Sequence, residues 1–232
     1  MTDLFCRTPL ILAGAFGSGK TEISLSLALE ARSRRSGEVV LVDLDLVTPF
    51  FRTRDAVENL EDAGVKVLYP SSFPRGVDLP ILPPAVVEAV ELSEFAVIDL
   101  GGGRMGSRVL GGLAQSVASR DGRVVAVVNP FRPMSGDPES IARGLDDLSS
   151  DLRLPVDAII ANPNLGTATE PTHVKDGLSI LRRGSERAGI PIIALGVGEH
   201  LMVDGNYPRW ARDIAEDCML IEVGRRLRLD WE

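Results

Sequence analysis

The chain has 232 residues, 44% of them hydrophobic, a formal net charge of −8 and two cysteines. That length suits one α/β domain whose sheet is covered on both faces, so residues 1–232 are read as a single domain. The acidic balance argues against a general nucleic-acid surface, which needs clustered Lys and Arg, and leaves open only a local basic patch. Cys6 and Cys218 alone make neither a zinc site nor an intrachain cluster site, and no apolar run approaches the ~20 residues that cross a bilayer. The expected location is the cytoplasm, with both thiols free.

In chain order, short β-branched runs alternate with longer helical patterns, the signature of βαβ units on a mostly parallel sheet. Strands are expected at Leu10 to Ala13, Val39 to Asp43, Val65 to Tyr69, Phe95 to Asp99, Val124 to Val128, Ala158 to Ala161 and Ile190 to Ala194. Helical patterns fall near 20–35, 53–63, 84–92, 106–119, 137–151, 171–188 and 208–226. About seven strands and seven helices predict an α/β three-layer αβα sandwich. The turn-rich segments 44–52, 70–83, 101–105, 129–136 and 162–169 each follow a strand, where open α/β sheets bind ligands.

The first strand runs into Gly14-Ala15-Phe16-Gly17-Ser18-Gly19-Lys20-Thr21, which satisfies G-x-x-x-x-G-K-[ST] and opens a helix. The glycines let successive N–H groups converge on a phosphate. Lys20 brings a compact charge to β and γ oxygens, and the Thr21 hydroxyl can coordinate Mg2+. Lys20 is one of three lysines against 22 arginines; a planar guanidinium would not fit inside a loop wrapped round one phosphate. Glu22 follows directly and is grouped with the loop as a nucleotide contact.

Two later strands end in carboxylates. Asp43 closes Val39 to Asp43, where it can reach a metal-bound water or the water that attacks the γ-phosphate. Asp45 follows, with a catalytic role and a structural one both open. Asp99 ends Phe95 to Asp99 and leads into Gly101 and Gly102, the pattern of a Walker B strand: Asp99 would bind Mg2+ through water and a Gly101 or Gly102 N–H would meet the γ-phosphate.

These motifs, with Pro49-Phe50-Phe51-Arg52 after Asp45, resemble the MinD/ParA/CobQ group of the SIMIBI class of P-loop proteins. The resemblance implies a P-loop NTPase fold, ATP and Mg2+ as ligands, a switch I at Asp43 to Arg54 and a switch II at Asp99 to Gly102. It also implies that Asn162, with Pro163 beside it, meets adenine. The guanine-reading Asn-Lys-x-Asp pattern is missing, since Pro163 and Leu165 stand at its Lys and Asp positions, so ATP is favoured over GTP. One departure matters: Ala15 and Phe16 stand where the MinD and ParA branch carries an extra lysine. Arg52, Arg54 and Arg104 are the candidate replacement cations.

Asn129 to Pro133 reads as a rigid wall, with partner contact as its second reading. His173 and His200 are isolated and receive no catalytic role. The apolar and arginine pattern of Met219 to Trp231 fits docking on the parent domain better than a membrane-lying helix. Three functional classes follow. An ATPase switch acting on a protein partner, as in cofactor or metal-centre maturation, leads. An ATP-dependent small-molecule synthetase of the CobQ or dethiobiotin synthetase kind and a GTPase chaperone for metal insertion come after it. The expected partners are the nucleotide, a protein not named by the sequence and, as an open alternative, a second copy of the chain.

Overall fold

The computed structural model describes residues 4–44, 54–68, 84–101, 110–216 and 218–224. Strand β1 (Leu10–Ala13) is followed by α1 (Lys20–Arg34), β2 (Val39–Asp43), α2 (Arg54–Asp62), β3 (Val65–Leu68), α3 (Pro84–Leu92) and β4 (Phe95–Asp99). Then come α4 (Ala114–Ser119), β5 (Arg123–Val128), α5 (Pro138–Leu152), β6 (Ala158–Ala161), α6 (Pro171–Ala188), β7 (Ile192–Gly198), a 3-10 turn (Glu199–Leu201), α7 (Arg209–Ala215) and β8 (Met219–Val223).

The eight strands form one sheet in the order β3-β2-β4-β1-β5-β6-β7-β8, every pairing parallel. Residues of β1, β2 and β4 are buried throughout, as expected of parallel strands covered on both faces. One face packs on Ile23, Leu25, Leu27, Ala28 and Ala31 of α1 and Val57 and Leu60 of α2. The other packs on α3 to α7, through Val90, Val117, Ile141, Leu145, Leu178, Leu181 and Ala211 among others. The expected three-layer αβα sandwich is therefore present.

Chain direction across the sheet reverses at β1: the chain leaves β1 toward β2 and β3, returns through β4, and crosses β1 to β5. A crevice opens beyond the carboxyl ends of strands at such a switch point. The loop from Gly14 lies there.

Two expectations change. The pattern at 208–226 is not one helix: α7 ends at Ala215, Glu216 takes a left-handed φ of 52°, and Met219–Val223 adds an eighth, edge strand against β7. Ile221 and Val223 face the α1 side, while Leu220 packs on the opposite cluster, so the true period there is two. The membrane-lying helix is excluded over Met219–Val223; residues 225–232 lie outside those described. Strand β7 also runs on to Gly198 instead of stopping at Ala194, which carries its following turn to the edge where the loop from Gly14 lies.

Helix α5 starts with a strong cap. Asp137 accepts from the N–H groups of Glu139 and Ser140, both at 3.0 Å, and from the Ser140 hydroxyl at 2.7 Å, with Pro138 at the first helical position. The Ser140 hydroxyl and N–H hold the Asp137 carboxyl below its ordinary value. A lowered folded value means that this stabilisation is complete above the ordinary carboxylate range near ~4 and fades as pH falls through the folded value. Asp137→Ala should lower the urea midpoint at neutral pH, and its gap to the unmutated protein should close as the solution is acidified. A gap independent of pH would show that the carboxylate charge is not what caps the helix.

Candidate phosphate-binding site

The loop between β1 and α1 turns on three glycines. Gly14, Gly17 and Gly19 have φ of 149°, 72° and 90°, the left-handed region that only glycine enters freely. A Cβ on Gly14 would lie 2.5 Å from the Val127 carbonyl oxygen, and one on Gly19 would lie 2.2 Å from Asn162 Nδ2. The loop is therefore pressed onto the ends of β5 and β6. Its N–H groups lead directly into the first turn of α1, where the helix dipole also favours an anion. Lys20 is 7% exposed and its Nζ donates to the Ala15 carbonyl at 3.1 Å, folding the ammonium back across the loop.

Asp43 and Asp99 stand opposite each other in the parallel register of β2 and β4. In-register neighbours share a face of the sheet, and Leu41 and Val97, two residues earlier, lie in the cluster beneath α1. Both carboxylates thus lie on the α1 side, at the strand ends bordering the loop, and both residues are buried. The Leu44 N–H donates to the Asp99 carbonyl at 2.8 Å and the Leu100 N–H to Leu12 at 3.0 Å. These bonds tie the three strand ends together. Thr21 and Glu22 are half-buried in the first turn of α1, and Phe16 is 70% exposed at the crest of the loop.

Asn162 sits under the loop. It is 2% exposed, and its Nδ2 donates to the Ser18 carbonyl at 2.7 Å. Its Oδ1 has no hydrogen-bond partner among the described residues and would lie 2.8 Å from a Cβ on Gly196 of β7. One N–H of the Asn162 amide therefore braces the loop, and the adenine contact implied by resemblance falls to Oδ1 and the second N–H. Pro163 faces α6, where a Cβ on Gly177 would be 2.5 Å from its own Cβ. It is absent from the wall of the neighbouring cavity.

That cavity, of about 560 Å3, opens between Gly17, Gly19 and Glu22 on one side and Gly198, Glu199 and His200 on the other, with Asn162 and Asn164 between. His200 is held by its Nε2–H, which donates to the Thr169 carbonyl at 2.8 Å; a carbonyl can only accept. His173 instead serves the start of α6, accepting from the Glu170 N–H at 3.0 Å. A smaller cavity of about 190 Å3 lies behind Gly14, Ala15 and Ser18, between β5 and α5. Arg132 borders both and donates from Nε to the Gly17 carbonyl at 2.8 Å. Sequence reasoning placed Asn129 to Pro133 at this edge as a wall and missed Arg132. The wall of Gly198 to His200 was missed because β7 was ended four residues early. Asp45, Arg52, Gly102 and Arg104 lie outside the described residues, as does the side chain of Arg54.

Sheet order and loop together define an α/β P-loop NTPase fold. No protein-family model matches the chain, and no curated protein matches it. Solved structures do. The signal recognition particle receptor FtsY from Elizabethkingia anophelis aligns with a TM-score of 0.52 at 19% identity, over 82% of this chain and 58% of that one. FtsY from Mycoplasma mycoides aligns at 0.54 and 19%, over 82% and 60%. The Elizabethkingia receptor in complex with GDP aligns at 0.50 and 20%, over 82% and 57%. The chain thus spans under two thirds of these receptors. At such identities the likeness shows the fold alone, that of a P-loop NTPase.

If Asn162 braces the loop, the effect should appear without any ligand. Asn162→Ala strands the Ser18 carbonyl and should cost about 1–3 kcal/mol in urea unfolding of the nucleotide-free protein. Unchanged stability would return Asn162 to a purely ligand-facing role.

Proposed function

We propose that the chain is a Mg2+-dependent nucleoside triphosphatase of MinD/ParA-like type that prefers ATP and acts as a switch on a protein partner. The observation that carries this reading is the closed loop at the start of α1, with Lys20 drawn across it and Asp43 and Asp99 in register beside it. A Cβ at Gly14 or Gly19 would strike the Val127 carbonyl or Asn162, so the backbone path that a phosphate-cradling loop needs is open here to glycine.

In this reading the N–H groups from Ala15 to Thr21 hold the β-phosphate and Lys20 leaves the Ala15 carbonyl to meet the β and γ oxygens. The Thr21 hydroxyl would hold Mg2+ directly, with Asp43 and Asp99 holding its waters. The metal would neutralise charge on the β and γ oxygens. Asp43 would orient the attacking water. The larger cavity has the location and volume for the nucleoside, between Glu22 and His200. Asp45 and Gly102 keep the roles that the resemblance implies, in the segments that carry the switch. A target in cofactor or metal-centre maturation is the class the resemblance favours.

Guanine is the second reading, supported by the GDP bound to the FtsY neighbour. Thermal unfolding with each nucleotide, with and without Mg2+, separates the two. A ligand at 100 times its dissociation constant stabilises by about 2.7 kcal/mol. ATP with Mg2+ should raise the melting temperature more than GTP, and Lys20→Ala should remove the response to both while leaving the fold intact. Stronger protection by GTP selects the second reading. A Lys20→Ala protein that is well folded and still protected overturns the assignment of the loop.

A further inference from the structure

A phosphate site that cleaves a triphosphate faces more negative charge than one lysine and one divalent ion balance well. In phosphoryl transfer an added arginine is worth roughly 10³ to 10⁵ in rate. Ala15 and Phe16 bring no charge to the loop. Arg132 does: its Nε is fixed on the Gly17 carbonyl, at the crest of the same loop. The guanidinium is exposed and enters no ion pair among the described residues. The nearest acid in sequence, Asp137, is spent on capping α5.

The turn that carries Arg132 is rigid. Asn129 is buried; its Nδ2 donates to the Asn164 carbonyl at 2.7 Å and its Oδ1 accepts from the Phe131 N–H at 3.0 Å. The Arg132 N–H donates to Asn129 and its carbonyl accepts from Ser135, both at 3.2 Å. Prolines at 130 and 133 fix φ on either side. Below, α6 approaches so closely at Gly177 that a Cβ there would be 3.0 Å from Pro130 Cγ and 3.2 Å from the Phe131 ring. The cation is therefore oriented before any nucleotide arrives, the condition under which electrostatic stabilisation of a transition state costs no reorganisation.

We propose that Arg132 is a catalytic residue, a second phosphate cation supplied from within the chain at the Gly17 crest of the loop. This rests on the hydrolase reading above. One nitrogen of the fork stays on the Gly17 carbonyl; the remaining donors meet the phosphate chain. In hydrolysis the water oxygen bonds to the γ-phosphorus and the bond from that phosphorus to the β–γ bridging oxygen breaks. The bridging oxygen leaves with the electron pair on the diphosphate, and the water's protons pass to phosphate and solvent. Arg132 stabilises the charge that gathers on the leaving oxygen. Because that charge develops only in the transition state, the residue should act on rate more than on binding.

The test is single-turnover ATP hydrolysis and ADP affinity for the unmutated chain, Arg132→Gln and Arg132→Lys. Glutamine keeps an N–H that can reach the Gly17 carbonyl but carries no charge, so the loop stays held. Arg132→Gln should hydrolyse about 10²-fold more slowly, with ADP affinity within about threefold. Arg132→Lys should recover part of the rate. The proposal is overturned if the Gln variant keeps the unmutated rate, if its loss appears in ADP affinity alone, or if the Lys variant is no faster than the Gln one. Absence of nucleotide protection of the unmutated protein would instead overturn the hydrolase reading, before any Arg132 variant is compared. Binding without hydrolysis by the unmutated protein would also overturn the hydrolase reading, whereas an unmutated rate in the Gln variant overturns the role of Arg132 alone.

Discussion

Everything at the nucleotide edge depends on how closely the loop after β1 can approach the neighbouring strand ends. Gly14 lies against the Val127 carbonyl and Gly19 against the Asn162 amide, at separations where a single methyl group would collide. That contact fixes the path of a glycine-rich segment across the ends of β5 and β6. It also aims α1 at that segment, because the helix begins at Lys20 with no side-chain cap of its own. A helix start without a capping side chain leaves donors for a ligand.

The sheet supplies the rest of the geometry. Parallel pairing of β2 with β4 brings two carboxylates, 56 positions apart in the chain by their numbering, into register on one face. The order β4-β1-β5 puts the loop between those carboxylates and the Asn129 turn. The acidic and the cationic side of the site therefore come from opposite directions along the sheet, with the loop between them. A reaction that moves negative charge between γ and β oxygens would use that arrangement.

Glycines recur where elements must nearly touch. Gly177 lets α6 take Pro130, Phe131 and Pro163 against its surface, and Gly184 lets it meet Ile141 of α5. The first of these docks the loops after β5 and β6 onto one rigid helix. Arg132 and Asn162, which both contact the phosphate loop, are held by the same support.

Much of this was legible in the sequence. The loop motif, its strand and helix context and the two aspartates at strand ends follow from local pattern, since buried parallel strands read as continuous apolar runs and the loop demands glycine at fixed positions. Seven strands could be located from the same pattern, but the eighth could not: Met219–Val223 mixes Leu, Glu and Val after a helix, and its period of two becomes meaningful only beside β7. Nor could the sequence tell that Asn162 points beneath the loop, or that Arg132 reaches Gly17 across 115 residues of chain. Those contacts join loops from different strands. Their distances are decided by strand order and by how tightly α6 packs, and sheet order is a property of the folded chain that no local stretch of residues carries.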